Sequence, residues 1–274
     1  MLPEFSVMHQ KQKIVTELLW NFPPNEWRLG EDEIHVWAAT LDLPGQTCAA
    51  LERTLAFDEM ERAGRFHFQH DRIRFIVGRA TVRAVLGCYL GADPAQLQFA
   101  YSRYGKPSLA APHSGTIHFN ASHSHELILI AVTRACAVGV DVERVHSLGE
   151  INKIAAEFCS PEEVAKLRAV PQPSRSLAFF NLLTRKEAYL KATGVGLSDQ
   201  VRHVATTFLP GEPAKILAVS GDRAAARAWS LKDLLPATGF IGAVAGQARN
   251  LRLACWRWPR KKAPSSGIAD NPAS

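Results

Sequence analysis

Between residues 71 and 90, apolar side chains recur at Ile73, Ile76, Val77, Ala80 and Ala84, the i, i+3, i+4, i+7, i+11 spacing that lines one face of a helix. Gly91 and Pro94 punctuate its end. Helical patterns return at 149–158, 161–170 and 176–192. The middle one opens with Ser160-Pro161 and Glu163, which supplies an N-cap, a proline at the first helical position and a capping-box acid. Runs rich in strand formers occupy 34–39, 97–101, 116–120, 127–132, 138–145, 226–231, 240–245 and 251–258. Pro44-Gly45 ends the first of these and a helix is expected to follow, while 102–105 and 110–115 are turn-rich. Residues 1–30 show little periodicity and contain Phe22-Pro23-Pro24-Asn25, so they read as an irregular arm laid on the surface. Residues 259–274, rich in Pro, Ser, Gly and basic residues, read as a disordered tail.

Strands and helices mix in both halves, which predicts an α+β (α/β) fold with a seam near 133–137 and two subdomains, 31–135 and 136–258. Each half runs from helical segments into strands. That is the outline of a duplicated fold, with no residue-level repeat beside it.

The 274 residues are 47% hydrophobic and 21% charged, a globular balance that excludes disordered and fibrous classes. Five cysteines, Cys48, Cys88, Cys136, Cys159 and Cys255, form no CxxC pair and read as reduced, mostly buried thiols. Glu4, Lys11, Lys13 and Glu17 break up the first twenty residues, so no secretory leader is read there. The strongest apolar run, 127–132, is too short to span a membrane. A soluble, cytoplasmic protein is therefore expected. The net charge of +6 points to an anionic partner, and only the position of the charge can say which.

Three segments carry the candidate chemistry. In Gly139-Val140-Asp141-Val142-Glu143-Arg144, strand alternation sends Val140 and Val142 to one side and Asp141 and Glu143 to the other, with Cα atoms about 6.6 Å apart. Two carboxylates so placed can share a hard cation such as Mg²⁺; the plainer alternative is the solvent face of an edge strand. The helix ending at Gly194 sets Glu187 and Lys191 on one face, either as a third carboxylate with a phosphate-binding lysine or as a surface ion pair. Phe119-Asn120-Ala121-Ser122-His123-Ser124-His125 reads as a strand running into a polar turn, able to donate to phosphates or simply to cap itself.

Positive charge is concentrated between Arg62 and Arg83, where six arginines face one acid, Asp71. Arg72, Arg79 and Arg83 fall on one helical stripe that reads as a solvated face, whereas Arg74 lies on the opposite flank and is the better phosphate contact. Tyr104-Gly105-Lys106-Pro107 is a turn presenting a lysine.

In order and spacing, Gly105-Lys106-Pro107, Phe119-Asn120-Ala121-Ser122-His123-Ser124, Gly139-Val140-Asp141-Val142-Glu143 and Lys186-Glu187-Ala188-Tyr189-Leu190-Lys191 with Gly194-Val195-Gly196-Leu197 resemble the Sfp-type 4′-phosphopantetheinyl transferases. The resemblance covers residues from about 60 to 200. It implies two similar subdomains related by a pseudo-twofold, with coenzyme A in the cleft between them. The implied reaction moves the phosphopantetheine arm of coenzyme A to a serine of an apo acyl or peptidyl carrier protein and releases 3′,5′-ADP. A monomer with no nucleic-acid or membrane partner goes with it.

On that resemblance Asp141, Glu143 and Glu187 hold Mg²⁺, and Glu187, or a metal-bound water it orients, takes the serine proton. Lys191 offsets pyrophosphate charge. Ser122 and His123 donate to phosphates, Arg74 with Arg62 and Lys106 holds the adenosine end and its 3′-phosphate, and Lys186 is a structural alternative. Departures are Leu183 where the family often has tryptophan, His125 where it has glycine, and Glu59 and Arg62 where some relatives carry two lysines. Two other readings stay open: another Mg²⁺-dependent phosphodiester-cleaving enzyme, and a basic nucleic-acid-binding module. The second has few aromatic platforms among its arginines.

Overall fold

The computed structural model describes residues 20–23, 27–43, 45–147, 149, 151–195 and 199–258. A short strand β1 (Trp20–Asn21) precedes β2 (Glu33–Thr40), helices α1 (Gly45–Glu52), α2 (Phe57–Gly64) and the 22-residue α3 (Gln69–Leu90), and strands β3 (Phe99–Tyr101) and β4 (Pro107–Leu109). The hairpin β5 (His118–Ser124) and β6 (Leu127–Thr133) follows, and then β7 (Val138–Arg144). Helices α4 (Ile151–Phe158) and α5 (Pro161–Ala169) lead to the 22-residue α6 (Gln172–Thr193). The chain closes with β8 (Val204–Thr206), β9 (Ile216–Val219), the short α7 (Arg223–Ala226), β10 (Ser230–Leu234), β11 (Phe240–Gly246) and β12 (Arg252–Arg257).

A five-stranded sheet runs β1-β12-β2-β6-β5 and a three-stranded one runs β10-β11-β7. β6 is buried at every position because both of its faces are covered. Ile128, Ile130 and Val132 pack with Val77, Val82 and Leu86 of α3 on one side. Leu129 and Ala131 pack with Val138, Val140 and Val142 of β7 on the other. That is why its sequence is a continuous apolar run instead of an alternation. The opposite face of the second sheet carries α6, where Ala188 and Ala192 meet Ala243 and Ala245. The layers are thus helix, sheet, sheet, helix, and each long helix ends on a left-handed glycine, Gly91 or Gly194.

Several expectations change here. β12 is threaded in parallel between β1 and β2, so the last strand of the chain belongs to the first sheet, not to a second subdomain closed at 258. Residues 20–30 are not wholly an arm on the surface: Trp20 and Leu29 are buried, and Trp27 stacks on Trp37 with ring centroids 4.2 Å apart. β5 continues through Ser124, with the turn delayed to His125 at φ 53°, and the strand expected at 226–231 starts only at Ser230, after the short helix that ends at Ala226. Strands β4, β8 and β9, three or four residues each, add to the expected elements. The readings for 1–19 and for the tail 259–274 lie outside the described residues.

Candidate active site

The alternation of β7 places Val138, Val140 and Val142 in the core between the sheets and turns Gly139, Asp141 and Glu143 toward α6. Asp141 is only 3% exposed, so this face is no solvated edge. Lys191, from the last turn of α6, lies with Nζ 2.6 Å from Asp141 Oδ1 and 2.7 Å from Ser122 Oγ, and Ser122 itself donates to the same oxygen at 2.8 Å. Lys191 therefore pairs across the site instead of with Glu187 one turn back. Ser124 Oγ donates to Glu143 Oε2 at 2.9 Å.

Glu187, 8% exposed, completes a set of three carboxylates. Burial pushes its pKa up to about 7; the charges of Asp141 and Glu143 add to this, and Lys191 opposes it. Glu143 is raised as well, by burial and then by Asp141. These groups sense each other's charge, yet among the described residues no three His, Cys, Asp or Glu side chains already stand at metal-binding spacing. Asp141 Oδ2 is buried without a hydrogen-bond partner. An orphaned carboxylate oxygen beside two carboxylates that resist ionisation suits a hard divalent cation, which accepts oxygen ligands and relieves the repulsion.

Beside this set, a cavity of about 560 Å³ opens between α3 and β5, walled by Arg62, Arg74, Arg79, Tyr101, Ser122 and His123. Arg74 forks onto Asp42, at 2.9 and 3.3 Å, and Arg62 lies over the Phe75 ring. His123 faces the opening; its surroundings desolvate the ring and, with Lys191, Arg74 and Arg62, hold its pKa below the usual range.

The arginine stripe is a solvated face at Arg72 but not at Arg79 or Arg83. Arg83 is 1% exposed, and both it and Arg79 bind the buried carboxylate of Glu59, which also accepts from the Ala56 amide. Glu59 thereby holds α2 against α3. Lys106, expected at the phosphates, is also placed differently: its Nζ donates to the carbonyls of Ala192 and Val138 at 2.7 and 3.2 Å. Burial lowers its pKa to about 8. Lys186 is fully buried on Glu163, Phe158 O and Val201 O, a structural role.

The structure thus brings Asp141, Glu143, Glu187, Lys191 and Ser122 together and sets Arg62, Arg74 and His123 along the adjoining cavity. Sequence reasoning did not reach Asp42, and it took Asn120 and Ser124 only as part of the polar segment 119–125. The alternation of Asn120, Ser122 and Ser124 was the available signal for the latter two, since it puts all three on one strand face.

Residues 137–245 match the model of the 4′-phosphopantetheinyl transferase superfamily, and residues 44–135 match that of the 4′-phosphopantetheinyl transferase N-terminal region. The chain is 40% identical over 225 residues to the 4′-phosphopantetheinyl transferase HetI of Nostoc sp., covering 81% of this chain and 91% of that one. It is 31% identical over 189 residues to the phosphopantetheinyl transferase of Thraustochytrium sp., covering 65% of each. To the 4′-phosphopantetheinyl transferase Sfp of Bacillus subtilis it is 30% identical over 150 residues, covering 54% of this chain and 65% of that one.

Proposed function

The chain belongs to the 4′-phosphopantetheinyl transferase superfamily, and from that premise we propose that β5, β7 and α6 form its transfer site and that the arginine-lined cavity takes the nucleotide end of coenzyme A. The protein is a 4′-phosphopantetheinyl transferase: it moves the 4′-phosphopantetheine arm of coenzyme A to a serine of a carrier protein. The observation that carries the site assignment is the meeting of Asp141, Glu143, Glu187 and Lys191 beside a cavity walled by arginines.

The serine oxygen forms a bond to the pyrophosphate phosphorus bearing the pantetheine arm, and the bond from that phosphorus to the bridging oxygen breaks, so that 3′,5′-ADP leaves. Glu187, or a water it orients, accepts the serine proton. Lys191 turns its ammonium from Asp141 toward the negative charge gathering on the leaving phosphate. Arg74 exchanges Asp42 for phosphate oxygens, and His123 donates beside it. Asp141, through its free Oδ2, with Glu143 and Glu187 would hold Mg²⁺, which neutralises the pyrophosphate charge when bound.

The enzyme acts as a cytoplasmic monomer in this reading; no helix among the described residues is long and apolar enough to cross a membrane. Mass spectrometry of apo acyl and peptidyl carrier proteins incubated with the protein, coenzyme A and Mg²⁺ tests it. A mass gain of one phosphopantetheine on the carrier serine is expected. An enzyme with Asp141→Asn or Glu187→Gln that modifies carriers at the wild-type rate overturns the site assignment.

A further inference from the structure

β7 is the outer strand of its three-stranded sheet, bonded to β11 on one side. Its other edge meets β5, and there side chains take the place of a strand ladder. Asn120 Oδ1 accepts from the Val140 amide at 2.9 Å, Ser122 Oγ donates to Asp141 Oδ1, and Ser124 Oγ donates to Glu143 Oε2. All three β5 residues are buried, at 6%, 7% and 8% exposure, and all three share one face of the strand. Two of these contacts end on the carboxylates of the site.

Ser124 is the more constrained of the two serines. A hydroxyl has one proton and two acceptor positions. The Arg144 amide donates to Ser124 Oγ at 3.2 Å, and His125 Nδ1 lies 3.3 Å away. With the Arg144 N–H filling one acceptor position, the single proton is directed to Glu143 Oε2, a carboxylate oxygen that can only accept. The Arg144 contact also ties this geometry to the β7 backbone one residue beyond Glu143, so the carboxylate and the group that orients it are fixed to the same stretch of chain.

We propose that Ser124 is a positioning residue for a divalent cation: by holding one oxygen of Glu143 it sets the side-chain rotamer that leaves the other oxygen for the ion, as Ser122 does for Asp141. This rests on the reading of Asp141 and Glu143 as cation ligands. Its role is distinct from phosphate binding, because the Ser124 hydroxyl is committed within the seam. Hydrogen-bond partners behind metal ligands are worth about 10- to 100-fold in metal affinity, so loss of the Ser124 hydroxyl should weaken the cation by about 10-fold or more.

The test is a Mn²⁺ titration of the full chain without coenzyme A, followed by the electron paramagnetic resonance signal of free Mn²⁺, on wild type, Asp141→Asn, Ser124→Ala and Ser124→Thr, with thermal melting recorded beside each. Asp141→Asn and Ser124→Ala should both bind Mn²⁺ more weakly, and Ser124→Thr, which keeps the hydroxyl, should recover most of the affinity. If Asp141→Asn binds as wild type, the cation site itself falls. If Asp141→Asn is weakened while Ser124→Ala binds as wild type, even with a lower melting temperature, Ser124 only closes the seam and the proposal fails. Equal weakening by Ser124→Ala and Ser124→Thr overturns it too, because the hydroxyl is then not the agent.

Discussion

The backbone of Gly139 lies so close to Ala188 that a Cβ on the glycine would stand 2.1 Å from the Ala188 carbonyl oxygen and 2.2 Å from the Ala192 amide nitrogen. Strand β7 and helix α6 touch backbone to backbone at this point. The contact brings the carboxylates two and four residues along β7 within reach of Glu187 and Lys191, which flank Ala188 on the helix. Both obstructing atoms are main chain, so neither can rotate aside.

Gly139→Ala should accordingly cost about 3 kcal/mol or more of stability, the upper range for overpacking a filled core. The strand must move off the helix to admit the methyl group, so activity should fall further than the loss of folded protein explains. Urea denaturation together with turnover per folded molecule checks this. A variant with wild-type stability would show that the two elements are free to separate.

Glu187→Gln should lower carrier modification by about 10²-fold or more, the scale of a lost general base, with coenzyme A affinity changed much less. A variant that binds coenzyme A poorly but reaches the wild-type rate at saturation would make Glu187 a binding residue only. The same group gives a pH signature in the metal-free protein. Its folded pKa, about 7, lies above the ordinary glutamate value, so the folded state keeps a proton that the unfolded chain has released. Stability therefore falls as pH rises from the ordinary value through about 7. Denaturation of metal-free wild type and Glu187→Gln across that window should show the decline in the former and a flatter curve in the latter.

Replacing Arg74 or His123 by alanine should weaken coenzyme A more than it weakens the analogue lacking the 3′-phosphate. Both residues face the cavity, and Arg74 is held ready there by Asp42. Calorimetric titration with the two ligands makes the comparison. Equal losses would place both side chains on another part of the nucleotide.

Lys106 ties the turn after β3 to the end of α6 and the start of β7 through two carbonyls. Burial brings its pKa down to about 8, so its charged form costs stability below that pH, and the cost is relieved as pH rises from about 8 toward the ordinary lysine value. Wild type should gain stability over that window relative to Lys106→Met, as chemical denaturation at a series of pH values would show. An unchanged difference between the two would mean that Lys106 keeps an ordinary pKa.

The amino-acid order alone was enough to define the long helices, the central strands and the pairing of Asp141 with Glu143 on one side of β7, because these depend on periods of 3.6 and 2 that local chemistry enforces. The capping box at Ser160 formed as written, Ser160 accepting from the Glu163 amide while Glu163 accepts from that of Ser160. Motif order also brought out the family. What lay beyond reach depends on contacts between segments far apart in the chain. The threading of β12 beside β2 joins residues more than two hundred positions apart. Arg83 has the helical phase of a surface residue, yet Glu59 of another helix buries it. Lys106 has the look of a free cation in a turn, but the open carbonyl of Ala192, 86 residues away, claims it. Periodicity tells which way a side chain points from its own element; whether that direction meets water, a carboxylate or a backbone carbonyl is decided by how the elements pack.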